Sequence, residues 1–550
     1  MALARPCALL MRLLFSTLTI TFFVSNGTSA THGSELLPED RSIAEVVDHY
    51  ISARLKKYEI EASPPANDAN VLRRTTLDLV GRIPTSSETA SYLADTDEFK
   101  RQNLIDRLIG SPAFVRHQVN EFDALLMPYD KNSLREYLLP AFTENRPWDQ
   151  MFQEMMLGRE DDPEQKGALQ FVKSRVGDID RLTNDVSVTF FGVNVSCAQC
   201  HDHPDVFEWS QDRFYGMKSF FNRTFENGGF IGERDYGLVS YQTTDGETRE
   251  AQLMFLTGKV LKEPEVAEPD DEAKKEEKKT LEALKKKKQA PPTPSFSRRE
   301  QLVEIALKSS ENNYFAKAIV NRVWNRFFGY GLVMPLDQMH PANESSHPEL
   351  LEWLSRDLVQ HNYDLTRLVR GIVSSEAYCR SSNWTGDSRP DPDMFAVGSV
   401  RPLTPFQYAT LLRVATANPD SFGDDQKTED VQSRLASLEN AARGFAREIE
   451  HPGAEFQVGV AEALLFSNNE RVRNELLRES NDTLIGKLKK IDDVNELISV
   501  ATLSIWNRLP EPEEKAALVA YLQNRSDRRD EAIVQMVWAM LTSSECRFNY

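Results

Sequence analysis

The sequence predicts a mainly α-helical protein, with two helical domains, a small β element near residues 236–260 and a charged linker between the domains. Three observations carry that reading. Apolar residues recur at helical spacing through most of the chain, residues 236–260 are rich in β-formers around Asp245-Gly246, and residues 262–297 are dominated by charge and proline. The composition agrees: 27% of the 550 residues are charged and 40% are hydrophobic, so disorder, collagen and coiled coil fail as descriptions of the whole chain. A formal charge of −19 repels phosphate backbones and argues against nucleic-acid binding.

Residues 1–30 read as a signal peptide. Arg5 and Arg12 give a positive start, Leu13 to Val24 an apolar run, and Ser25 to Ala30 a small polar exit, with cleavage expected after Ala30. The apolar run falls short of the roughly 20 residues that span a bilayer, so no stable membrane span is expected once the signal is removed. The mature protein is therefore expected in the periplasm, the cell envelope or outside the cell.

An N-terminal helical domain is expected over 42–225. Ile43, Val46, Val47, Tyr50, Ile51 and Leu55 form one apolar stripe, and Leu104, Ile105, Leu108 and Ile109 form another that Ser111-Pro112 ends and restarts. After Trp209 the stretch Phe214, Tyr215, Met217, Phe220 and Phe221 reads as core or as a cofactor wall. A β-containing extension over 226–261 follows, with Tyr236–Thr243 and Ala251–Val260 as strands on either side of Asp245-Gly246. The linker is placed at 262–297. Nine lysines and nine acids lie within 262–289, acids leading and Lys285–Lys288 closing, which suits a solvated linker or a charged helix.

The C-terminal helical domain is expected over 298–550. Phe315, Ile319, Val320, Val323, Trp324, Phe327 and Phe328 form a broad stripe ending at Gly329, and the next helix enters through Ser346 and Pro348, where His347 fits a capping neighbourhood. A partial internal repeat links the two ends of the chain. Thr76-Leu77-Asp78-Leu79-Val80-Gly81-Arg82-Ile83-Pro84 with Glu88 downstream matches Thr502-Leu503-Ser504-Ile505-Trp506-Asn507-Arg508-Leu509-Pro510 with Glu514 downstream. Each copy predicts a helix, a proline break and a second helix with an acid in its first turn.

The sharpest chemical signal is Cys197-Ala198-Gln199-Cys200-His201. Two thiols at this spacing followed by histidine form the attachment motif of a c-type haem, in which the thiols bond the vinyl groups and His201 ligates the iron. Two other readings stay open: a Cys197–Cys200 disulfide, and zinc or another metal held by these residues with His203. For a haem, the second axial ligand would be Met217, Met254, Met339, His340, His117 or no protein group. Asp202 and Asp205 are candidates to fix an imidazole tautomer. Trp148, Trp209 and Trp384 are candidates for binding extracellular polymers, against the ordinary reading of core tryptophan. No Gly-rich phosphate loop, G-x-S-x-G or H-E-x-x-H occurs in the sequence, so hydrolase and nucleotide chemistry lack a carrier.

Leu72-Arg73-Arg74-Thr75-Thr76-Leu77-Asp78-Leu79-Val80-Gly81-Arg82-Ile83-Pro84-Thr85 and Cys197-Ala198-Gln199-Cys200-His201-Asp202-His203-Pro204 resemble the planctomycete cytochrome-associated domain of unknown function. Asn313 to Trp324, Ser346 to Leu351 and Arg401-Pro402-Leu403-Thr404-Pro405 resemble its usual C-terminal companion. The resemblance implies exported proteins, some with a further cytochrome c domain, and implies no particular activity. Asp205-Val206-Phe207 departs from the family's usual continuation after His203-Pro204, which loosens any role at Asp205. The resulting expectation is an exported protein with haem c at Cys197, Cys200 and His201, acting with a redox partner in electron transfer or extracellular redox chemistry. The alternative is a non-enzymatic cell-envelope structural or interaction protein, with a Cys197–Cys200 disulfide or a structural metal in the same loop.

Overall fold

The computed structural model describes residues 36–550 apart from 129–131, 203–205, 207–208, 309–312, 424, 451–465 and 468. The expected signal peptide, His203 and Asp205 lie outside the described residues. The protein is mainly α-helical with a small β element. Its N-terminal half contains α1 (Ile43–Lys57), α2 (Asp68–Val80), α3 (Ser86–Ala94), α4 (Lys100–Ile109), α5 (Pro112–Leu126), α6 (Arg135–Thr143), α7 (Trp148–Leu157), α8 (Ile179–Phe191) and α9 (Gln211–Ser219). Two hairpins follow, β1 (Thr224–Asn227) with β2 (Phe230–Glu233) and β3 (Ser240–Gln242) with β4 (Thr248–Glu250). Next come α10 (Asp271–Lys287), α11 (Arg298–Lys308), α12 (Tyr314–Phe328), α13 (Pro348–Gln360) and α14 (Leu365–Val373). The C-terminal part adds β5 (Arg401–Pro402), α15 (Pro405–Ala415), α16 (Thr428–Ala446), α17 (Val494–Ile505), α18 (Pro512–Gln523), α19 (Arg529–Leu541) and β6 (Phe548–Asn549), which pairs with β5.

The stripes read from the sequence are the buried faces. Ser42 and Glu45 close a capping box on α1, and Ile43, Val46, Val47, Ile51 and Leu55 are buried. On α12, Asn313 caps the start and Gly329 ends the helix in the left-handed region at φ 72°, where a Cβ would lie 2.4 Å from Ser399 Oγ. A cluster of rings ties the two halves together. Trp148 of α7 stacks on Phe315 of α12 at 6.2 Å and 9°, and Phe152 lies 4.7 Å from Phe190 and 4.9 Å from Phe315. Residues Leu37–Tyr550 accordingly form one unit. Among the described residues, no helix is long and apolar enough to cross a membrane.

The β element differs in detail from the expectation. The turn at Asp245-Gly246 does join a hairpin, with Gly246 at φ 81°, but its strands span three residues each. Residues 251–260 form only a Met254–Val260 bridge around Gly258. The β1–β2 hairpin, turning at Gly228-Gly229, was not expected. The charged segment folds as α10, a 17-residue helix with no buried residue. Asp271 and Glu272 lie in its first turn and Lys285–Lys287 in the last, matching the helix dipole. It is docked: Asn227 Nδ2 donates to Leu281 O at 3.0 Å, and Glu277 takes Arg234 at 3.2 Å and the Tyr236 hydroxyl.

The two repeat copies share their bonding. Arg82 donates through Nη1 and Nη2 to Glu88 at 2.7 and 2.9 Å and from Nη1 to Ile83 O. Arg508 does the same to Glu514, at 2.7 and 2.8 Å, and to Leu509 O. The preceding residue is left-handed in both, Gly81 at φ 71° and Asn507 at φ 59°. The copies also touch, since Arg73 Nη1 donates to Asn507 Oδ1 at 2.7 Å and Asn507 Nδ2 donates to Pro84 O at 2.9 Å.

Candidate functional site

The cysteine motif hangs from the end of α8. Asp178 caps the start of that helix, and Gly192 ends it at φ 67°. Val193 and Val195 are then buried with Asn194 between them. Asn194 Oδ1 accepts from Ser196 N at 3.1 Å and Ser196 Oγ at 2.6 Å, which starts a single 3-10 turn over Ser196–Gln199. Ala198 points its methyl group into the core, and its N–H donates to Val195 O. Cys197 and Cys200 stand on either side of this anchor as exposed free thiols.

Gln199 fixes the turn from below. Its Nε2 donates to Asp180 Oδ2 at 2.9 Å, and its carbonyl accepts from Tyr215 Oη at 3.2 Å and Gln211 Nε2 at 3.4 Å. Tyr215 in turn stacks on Tyr241 of β3 at 4.1 Å. Burial raises the Tyr215 phenol above its ordinary range, and Asp180 and Cys200 push the same way, so it remains a donor. None of Asn194, Asp180 and Tyr215 was singled out from sequence as a support. Only Asn194, two residues before a serine, carries a local signal.

His201 is exposed, and its Nδ1 lies 2.7 Å from Asp202 O. A carbonyl only accepts, so Nδ1 carries a proton, and in the neutral ring the lone pair is on Nε2. The backbone of Asp202, rather than its carboxylate, thus sets the tautomer. Among the described residues no group of three or more His, Cys, Asp and Glu could hold a metal ion, with His203 outside that set.

The candidate axial ligands are scattered. His117 lies in the core on α5, 3.9 Å from Glu121, where burial and then Arg326 hold its imidazole well below the ordinary value. Met217 is buried, and Met254 Sδ accepts from Arg213 Nη1 at 3.2 Å. Met339 lies against the motif's own stem, its N–H donating to Gly192 O at 2.9 Å, and the His340 ring meets Trp209 edge-on at 5.4 Å. His347 is buried with Nδ1 3.0 Å from Ser346 Oγ. Phe214, Met217, Phe220 and Phe221 are packed into the core, as are Trp148 and Trp209. Trp384 lines an open cavity of about 870 Å³ near residues 59–64.

No curated protein and no solved structure matches this chain. Two family models do. Residues 46–226, which contain the whole cysteine turn, match the one described as a protein of unknown function (DUF1549), and residues 298–449 match the one described as a protein of unknown function (DUF1553). The chain therefore carries these two domains of unknown function, in that order from N- to C-terminus.

Proposed function

We propose that this is an exported redox protein in which Cys197, Cys200 and His201 carry a covalently attached c-type haem, used in electron transfer or in a redox step on an extracellular substrate. One observation carries the reading: a single turn offers two exposed free thiols, three residues apart, beside an exposed imidazole whose Nδ1 is bonded to Asp202 O, which leaves Nε2 as the ring nitrogen for the iron. The donor set fits the group, because attachment requires accessible thiols and ligation requires a neutral ring nitrogen. The two other described cysteines, Cys379 and Cys546, are buried and unsuited to this role. The haem would supply one-electron exchange at its iron. The protein's part is to hold the turn, through Gln199, Ala198 and Asn194, so that both thiols stay on the surface. The Tyr215–Tyr241 stack makes that support stiff.

The test is the visible spectrum and intact mass of the full chain expressed with a haem-attachment system. A Soret band, a pyridine haemochrome and a mass increase of roughly 616 Da, all lost in the C197A/C200A double variant, are expected. Unmodified thiols under those conditions would overturn the proposal. A mass lower by about two, or chelator-sensitive zinc, would instead make the loop a structural clip.

A further inference from the structure

The cysteine turn belongs to the first matched region, yet its stem is held by the second. Three hydrogen bonds to backbone oxygens, a β-bridge and one bond between side chains cross between them. Arg322 of α12 donates through Nη2 to Val188 O at 2.6 Å near the C-terminus of α8. Met339 N donates to Gly192 O at 2.9 Å, and Val193 bridges Gln338. Asn194 N donates to Asp337 O at 2.7 Å, while Asn194 Nδ2 donates to Asp337 Oδ2 at 3.1 Å.

The segment that makes these contacts is itself braced. Asn343 Nδ2 donates to Met334 O at 3.1 Å and Gln338 O at 2.8 Å, and Asn321 exchanges hydrogen bonds with the backbone of Val333 at 2.9 and 3.0 Å. Asp337 is thus presented on a rigid loop. Asn194 uses its amide nitrogen on Asp337 and its amide oxygen on Ser196, the first residue of the cysteine turn. Only a side chain that donates at one end and accepts at the other can join the two.

We infer that Asp337 is a positioning residue for the cysteine site, acting through Asn194 and Ser196 to hold the turn with its two thiols separate, so that the site is complete only when both domains are present. The inference rests on the proposed attachment role for what the site does, but the relay itself is independent of haem. Loosening it lets the turn close toward a disulfide and lowers haem occupancy.

The experiment uses N194D and N194D/D337N in the full chain. An aspartate at 194 still accepts from Ser196 but sets a carboxylate against that of Asp337; the second change restores a donor opposite it. In protein made without haem attachment, the Cys197–Cys200 dithiol–disulfide equilibrium is measured against glutathione. N194D is expected to favour the disulfide by about tenfold, the effect of losing one charge-assisted hydrogen bond, and the double variant to return near wild type. With the attachment system, haem per chain should fall and recover in step. An equilibrium in N194D within about twofold of wild type, or a double variant no better than the single, overturns the inference. If wild type takes no haem, the attachment proposal fails and the thiol equilibrium alone decides this one. Thermal melting checks the fold. Should N194D not fold, D337A, which removes the acceptor from a half-buried loop position, carries the same test.

Discussion

Asp78 and Arg401, 323 residues apart, meet in the core: Arg401 Nη2 donates to both carboxylate oxygens of Asp78, at 2.9 and 2.8 Å. Tyr378 Oη and Asn549 Nδ2 donate to the same carboxylate at 2.7 and 2.8 Å, and Arg326 donates to the Asp78 carbonyl. Asp78 is 4% exposed. Removing the carboxylate charge leaves the Arg401 guanidinium without its ion-pair partner in a largely buried site, so D78N should lower the free energy of unfolding by about 3 kcal/mol. Y378F, which removes one neutral donor, should cost about 1 kcal/mol. Urea denaturation of the two variants tests this ranking, and equal losses would show that the carboxylate is not the centre of the network.

The repeated left-handed position should resist substitution in both copies, for different reasons. At Gly81 an added Cβ would lie 2.5 Å from His117 Nδ1, on top of the strain of φ 71°, so G81A should destabilise by about 2 kcal/mol or more. At Asn507 glycine would relieve the backbone but forfeit the bonds to Arg73 and Pro84, leaving Arg73 without one of its buried acceptors. N507G should therefore also destabilise, by about 2 kcal/mol. A stabilised N507G in thermal melts would mean that backbone strain outweighs the contact between the copies.

These sites show how far sequence reading reached. The helical stripes were legible because burial follows a 3.6-residue period, and the repeat because its arginine, proline and glutamate keep their offsets. Asp78 and Arg401 each stood in a recognised motif, but nothing local says that two segments so far apart share one ion pair. The Asp337 relay was hidden for the same reason. The β1–β2 hairpin had a local signal, Asn227-Gly228-Gly229, masked by the aromatic stretch before it. In α10 the charges read as solvated, and they are; docking depends on a few polar contacts that hydrophobic patterning does not register.

Acid should destabilise the protein in two separable windows. Burial, and then the charge of Arg54, lowers the His347 imidazole from 6.5 to about 3. The folded chain thus keeps it neutral while the unfolded chain protonates it, and this stability is complete above pH 6.5 and lost as pH falls toward 3. Burial would raise the Glu88 carboxyl, but Arg82 and Arg107 outweigh it and hold it at about 2 against an ordinary 4.5. That contribution is complete above pH 4.5 and lost toward pH 2. Between pH 6.5 and 5, H347Q should remove a slope of up to about 1.4 kcal/mol per pH unit, whereas E88Q should leave that slope intact and flatten the curve below pH 4.5. Denaturant titrations across pH with both variants test the assignment, and an unchanged slope in H347Q would refute it.

The described thiols should divide into two pairs when the reduced full chain, made without haem attachment, meets iodoacetamide. Cys546 is buried, its thiol pushed up to about 12 and its Sγ 3.4 Å from Met540 O, so it offers neither thiolate nor access. Cys379 is also raised by burial, although Arg101 Nη1 lies 2.9 Å from its Sγ and opposes the shift. Native labelling mapped by peptide mass should therefore fall on Cys197 and Cys200, with Cys379 and Cys546 at least about a hundredfold slower and reached only through unfolding. Denaturant should abolish the difference. Cys379 is the informative case, because a cation beside a sulfur favours the reactive thiolate. Labelling there at the rate of Cys197 would mean that Arg101 opens the pocket and that burial is not what keeps this thiol inert.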